Sequence, residues 1–239
     1  MRAIRQMIAI VLISAVAFSM TSCADSKSEK IETGAGETGA WTVSDQKTEV
    51  KLPEDVEKAF RKATENITGS TLVPVSYIGS QVVAGMNYMI LCRSVTAAQE
   101  PQTSYKIAVI YADLEGNAEL TSLSDFDLTK YTEGEGKKNS EVLSGGWYVA
   151  PDAVGVEIPE DVKRAYEKAT EAVCWEWAEV DLLACLGSQI AAGTNYAILC
   201  RGKLTEDEST DHIFMITVYE DLEGNAEVTN IHTLDLSEL

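Results

Sequence analysis

The stretch Gly79–Arg93, "GSQVVAGMNYMILCR", places a glycine turn between two runs of strand-forming residues. The chain nearly repeats it 108 residues later, where Gly187–Arg201 reads "GSQIAAGTNYAILCR", identical at 11 of 15 positions. Two further anchors extend the duplication. "PEDVEKAFRKATE" from Pro53 matches "PEDVKRAYEKATE" from Pro159 at nine of 13 positions, and "DLEGNAE" occurs identically at Asp113 and Asp221. Trp41 and Trp147 mark comparable starts. Self-similarity at a spacing of 106 to 108 residues indicates two copies of one structural unit.

Each copy reads as a helix followed by strands. Val56, Phe60, Ala63 and Ile67 fall on one helical face, as do Val162, Tyr166, Ala169 and Val173 in the second copy. Pro53 and Pro159 suit a first helical turn, where a missing N–H is harmless, and the acids behind them suit the positive end of the helix dipole. Segments rich in Val, Ile, Tyr and Leu at about 71–80, 86–94, 104–113 and 118–127 read as strands, separated by glycine-bearing turns. The expected class is α+β, with two tandem domains that each pack one helix on a four- to five-stranded antiparallel sheet. Alternation puts Tyr88, Ile90 and Cys92 on the face toward the helix, and Asn87, Met89, Leu91 and Arg93 on the other.

Composition organises the rest. Arg2 and Arg5 precede the apolar run Ile8–Met20, and small residues then lead to "MTSC". That is the pattern of a secretory signal peptide; about 13 apolar residues fall short of the ~20 that span a bilayer as a helix. The ending resembles a bacterial lipoprotein lipobox, with Met20 where Leu is usual, which implies lipidation at Cys23 and domains held outside the cytoplasm. Residues 1–22 are thus expected as signal peptide and 23–40 as a flexible tether, polar and without apolar periodicity. Residues 41–131 form the first repeat, 132–146 a second polar linker, and 147–239 the second repeat.

The chain carries 38 Asp and Glu against 19 Lys and Arg, a formal net charge of −19. Nucleic acid is a poor partner for such a surface, because its phosphates need basic patches. Four cysteines remain beyond Cys23: Cys92, Cys174, Cys185 and Cys200. They allow three complete pairings, but Cys92 and Cys200 sit on apolar strands, which favours buried free thiols. The two histidines, His212 and His232, both lie in the second copy, so the repeat has no common His-based catalytic set. No His/Cys/carboxylate group has metal-ligand spacing and no phosphate-binding glycine loop occurs, so neither an enzyme nor a cofactor is expected.

Gln81-Val82-Val83-Ala84-Gly85, after a helix and between strands, and followed by Asn87-Tyr88, resembles the cystatin/stefin family of cysteine-protease inhibitors. The resemblance covers both repeats and implies a wedge that enters the cleft of a papain-like protease. Its parts would be an N-terminal glycine segment, the Gln-x-Val-x-Gly hairpin and a second hairpin. In the first copy these are Gly39 and Trp41, then Gln81 to Gly85, then Leu114, Glu115 and Gly116. In the second they are Gly145, Gly146 and Trp147, then Gln189, Ile190, Ala191, Ala192 and Gly193, with Ala191 where the family has Val. Both second hairpins read Leu-Glu-Gly-Asn and lack the Pro-Trp of many cystatins. The first repeat is therefore expected to be the stronger inhibitor. The alternative is a non-inhibitory extracellular protein- or peptide-binding module.

Overall fold

The computed structural model describes residues 41–43, 51–132, 148–149, 158–171 and 177–239, and among these the side chains at 41–43, 148–149 and 207–210 are not described. In chain order the elements are β1 (Trp41–Val43), α1 (Glu54–Thr64), β2 (Ser70–Val83), β3 (Gly85–Thr96), β4 (Thr103–Ala112) and β5 (Ala118–Phe126). A 3-10 turn at Leu128–Tyr131 ends the first repeat. The second has β6 (Tyr148–Val149), α2 (Glu160–Glu171), β7 (Trp177–Ile190), β8 (Gly193–Leu204), β9 (Asp207–Asp221) and β10 (Ala226–Thr233).

Two antiparallel sheets result, ordered β1-β2-β3-β4-β5 and β10-β9-β8-β7-β6. Each has four long strands and a very short fifth at one edge. This corrects the expected class: with 57% strand and 17% helix among the described residues, the fold is mostly β, not an α+β layer formed twice. The reason lies in the central strands. Met89, Ile90, Leu91 and Cys92 are all buried, so β3 has no solvated face. An antiparallel strand apolar on both sides needs a partner on both sides.

The outer face of the first sheet takes the helix. Val56, Ala59 and Phe60 of α1 pack against Tyr88, Ile90, Cys92, Ala108 and Ile110. The alternation expected for Tyr88, Ile90 and Cys92 is therefore observed, although α1 ends at Thr64, short of Ile67. In the second sheet Val162, Ala165 and Ala169 of α2 meet Tyr196, Ile198 and Cys200, while Val173 lies outside the described residues.

The inner faces take each other. Val75, Ile78, Met89, Leu91, Tyr105, Ile107 and Phe126 form one core with Leu183, Leu186, Ala197, Leu199, Ile213, Met215 and Leu234. Each member of the first set has its counterpart 108 residues later in the second. The duplicated unit thus buries its second face against its own copy, sheet on sheet. The linker composition suggested two small globular domains; the described residues of both repeats share this core.

Candidate binding edges at the hairpin tips

Strand register brings the candidate residues of the first repeat to one end of its sheet. Val83 pairs with Gly85 across the β2–β3 tip, and Met86 pairs with Ala112, the last residue before the β4–β5 turn. Trp41 of β1 pairs with Gln81. The first hairpin, the second hairpin and the entry of β1 therefore stand side by side. Gln81, Val82 and Val83 end β2, Ala84 makes the turn and Gly85 begins β3. Leu114, Glu115 and Gly116 form the second turn. The second repeat is built alike: Gln189 and Ile190 end β7, Ala191 and Ala192 turn, and Gly193 begins β8 and pairs with Asp221. Gly39, Gly145, Gly146, Trp147 and Cys23 lie outside the described residues.

The tips are apolar and open. Val82 and Val83 are 46% and 36% exposed, Ile190 is 65%, and Leu114 and Leu222 reach 92% and 86%. The second hairpin, which lacks the aromatic residue of the resembled family, presents a leucine instead.

Polar braces hold each tip. Across the first hairpin the Asn87 side-chain amide donates to Gln81 Oε1 at 2.7 Å; its counterpart, Asn195 to Gln189, measures 2.9 Å. The Tyr111 hydroxyl donates to the Ala84 carbonyl at 2.8 Å, and Tyr219 to that of Ala192 at 2.9 Å. Gly85, at φ +143°, is needed here for close approach: a Cβ on it would lie 2.3 Å from the Ala112 carbonyl oxygen.

The second hairpin is organised by one carboxylate. Asp113 accepts hydrogen bonds from the backbone N–H groups of Glu115 and Asn117 and from the Asn117 side chain. The Asn117 side-chain amide, first among these donors, holds the Asp113 carboxyl below its ordinary value. Asp221 repeats the arrangement with Glu223 and Asn225, and its carboxyl is lowered by Asn225. From the helix, Lys62 donates to the Gly116 carbonyl at 3.0 Å and Lys168 to that of Gly224 at 2.7 Å.

Sequence reasoning placed the tips but not their supports. The Asp-x-x-x-Asn spacing in "DLEGN" is a readable Asx-turn signal, whereas Tyr111 and Lys62 reach the tips only through strand and helix packing.

The thiols lie elsewhere and serve the core. Cys92, Cys185 and Cys200 are free and buried, and Cys174 is outside the described residues. Burial pushes the Cys92 thiol up to about 12 and Cys185 to about 11. At neutral pH these are protonated packing groups, not activated nucleophiles. Among the described residues no group of three or more His, Cys, Asp or Glu side chains is arranged to hold a metal ion, and no helix is long and apolar enough to cross a membrane. No protein-family model matches the chain, and no curated protein matches it.

Proposed function

We propose that this chain is an exported inhibitor of papain-like cysteine proteases, tethered by lipid at Cys23, which fills the protease cleft with the hairpin edge of its first repeat. One observation carries the reading. Seven large hydrophobic side chains are exposed among the described residues, and five of them sit on the hairpin tips: Val82, Val83, Leu114, Ile190 and Leu222. Apolar surface gathered on a protrusion is shaped to enter a cleft.

The chemistry of the edge fits a blocking role. Valine is compact and stiff, so little rotamer entropy is lost when it is enclosed. The braces at Gln81, Ala84 and Asp113 fix the backbone before contact, which lowers the ordering cost of association. The reading rests on this arrangement of hairpins and on the Gln-x-Val-x-Gly motif, not on the fold class.

Because the repeats share a core, the test uses tip variants of the full chain and not separated halves. Titrating papain with the full chain should suppress hydrolysis of a peptide substrate. Val82→Asp with Val83→Asp should restore activity, since two carboxylates would have to be desolvated in the cleft. Absence of inhibition at micromolar protein would sink the proposal. The second edge, where Ala191 replaces a valine, favours a second reading for that half: a non-inhibitory module that binds another extracellular protein or peptide. It predicts that Ile190→Asp leaves papain inhibition unchanged.

A further inference from the structure

We infer that Tyr111 and Tyr219 are positioning residues that lock the two hairpins of each edge into one body and hold the tip peptide in a geometry that resists cleavage. The second part of this inference rests on the proposed inhibitory reading; the first does not.

The geometry around each phenol is specific. Tyr111 lies in β4, paired with Asn87 on one side and Glu119 on the other, so it stands beside the first hairpin while belonging to the second. Its hydroxyl donates to the Ala84 carbonyl at 2.8 Å. Its ring occupies the space that Gly85 leaves open: a Cβ there would fall 3.0 Å from the ring and 3.2 Å from the hydroxyl. Two residues further on, Asp113 begins the hydrogen-bonded turn of the second hairpin. One side chain therefore ties the apex of one hairpin to the base of the other.

The second repeat keeps this device where it has changed the tip. Val82 and Val83 have become Ile190 and Ala191, yet Tyr219 still donates to the Ala192 carbonyl at 2.9 Å. A Cβ on Gly193 would lie 2.8 Å from both the ring and the hydroxyl of Tyr219. The glycine and the tyrosine thus form a matched pair in each repeat. A turn alone would need the glycine but not the phenol.

The bonded carbonyl explains how a protein segment in a protease cleft escapes hydrolysis. Cleavage requires the carbonyl oxygen to enter the oxyanion hole as its carbon becomes tetrahedral. The Ala84 oxygen is directed back at β4 by Tyr111, so attack at Ala84–Gly85 requires that bond to break and the tip to leave the sheet. Losing it removes one net hydrogen bond, which corresponds to about a fivefold change in the opening equilibrium.

The experiment compares the full chain with Tyr111→Phe and Tyr219→Phe, which keep the ring and remove the hydroxyl. Amide hydrogen exchange is read on the free protein. Tyr111→Phe should speed exchange about fivefold at residues 82–87 and also at 113–118, leaving 189–194 and 221–226 at parental rates. Tyr219→Phe should give the mirror image, and the urea midpoint of both should fall only by the small amount that one lost hydrogen bond accounts for. An elastase-type serine protease, which cuts after small residues, should nick Tyr111→Phe after Ala84 faster than the parent. In a papain mixture, mass spectrometry should find the same cut in the variant alone. Parental exchange and parental nicking in both variants would overturn the inference. A parent chain that fails to inhibit papain would instead defeat the functional proposal, and the exchange and elastase measurements would still decide the role of the tyrosines.

Discussion

At the first tip β2 stays paired as far as Val83, which faces Gly85, and Ala84 alone makes the turn; at the second, β7–β8 pairing stops at Ile190 and Thr194. Ala191 still donates its N–H to the Gly193 carbonyl at 3.0 Å, but Ala192 takes φ +33°, in the left-handed region that side chains avoid. The polar supports beneath the two tips are alike: the tyrosine, the Gln–Asn pair, the aspartate turn and the helix lysine. The core positions differ in residue but stay apolar, as in Met89 and Ala197 or Phe126 and Leu234, whereas the polar supports of the tips keep their residues and the tips themselves do not. The strongest test concerns the frame. Leu91→Ala and Leu199→Ala remove matched side chains from the shared inner core, and each should cost about 2–5 kcal/mol. Urea unfolding followed by far-UV circular dichroism should show one transition shifted in either variant. Two transitions, one unshifted, would mean that the repeats fold separately.

The next test exchanges the difference itself. Val83→Ala gives the first tip the second tip's residue and removes two methyl carbons, about 1.6 kcal/mol if fully buried in a cleft, from ~0.8 per carbon. Papain affinity should fall about tenfold. Ala191→Val, the converse change, should raise the affinity of the second edge if that edge engages the same class of enzyme. A smaller effect is expected from backbone strain. Ala192→Gly relieves a left-handed alanine and should stabilise the chain by about 1 kcal/mol. Ala84→Gly relieves nothing, because Ala84 is not among the positive-φ residues, and should destabilise by about 0.5 kcal/mol. Equal responses at the two alanines in thermal melts would erase the distinction drawn between the tips.

Much of the frame was legible because periodicity encodes it locally. The strand expected at 86–94 is β3 at Gly85–Thr96, and the face of Tyr88, Ile90 and Cys92 meets the helix. The misreading came from the other face. Met89 and Leu91 alternate with the helix-facing set, but nothing local says that a second sheet covers them. Sheet-on-sheet packing joins residues about a hundred positions apart, and only the matching apolar faces of the two copies hint at it. The hairpin tips were legible for the opposite reason. A glycine turn flanked by valines, and "DLEGN", each close on themselves within a few residues. The Tyr111 brace was not, since its partner lies 27 residues away and is a backbone carbonyl, which leaves no mark on sequence.

The smallest expected difference is between the two aspartate turns, where the sequences are identical. Asp113 and Asp221 both have carboxyl groups held below the ordinary value of 3.8, first by the side-chain amide of Asn117 or Asn225 and then by backbone N–H groups. A folded value below the unfolded one means that the stabilising contribution is present in full above the unfolded value. It is lost as pH falls through the lowered folded value. Acidification below about pH 4 should therefore loosen both turns while the strand ladders persist. Both carboxylates are exposed, so the effect is local and is best read from the amide resonances of Glu115, Asn117, Glu223 and Asn225. Those four signals should move together, with a midpoint below 3.8. Asp113→Asn should abolish the movement at Glu115 and Asn117 and leave Glu223 and Asn225 titrating. A midpoint at the ordinary aspartate value would mean that the carboxylate does not organise the turn. Divergent midpoints would mean that the surroundings, Lys62 near Asp113 above all, tune the two second hairpins differently. In that case divergence between the repeats would extend from the first hairpin into the second, below residues that the sequence leaves unchanged.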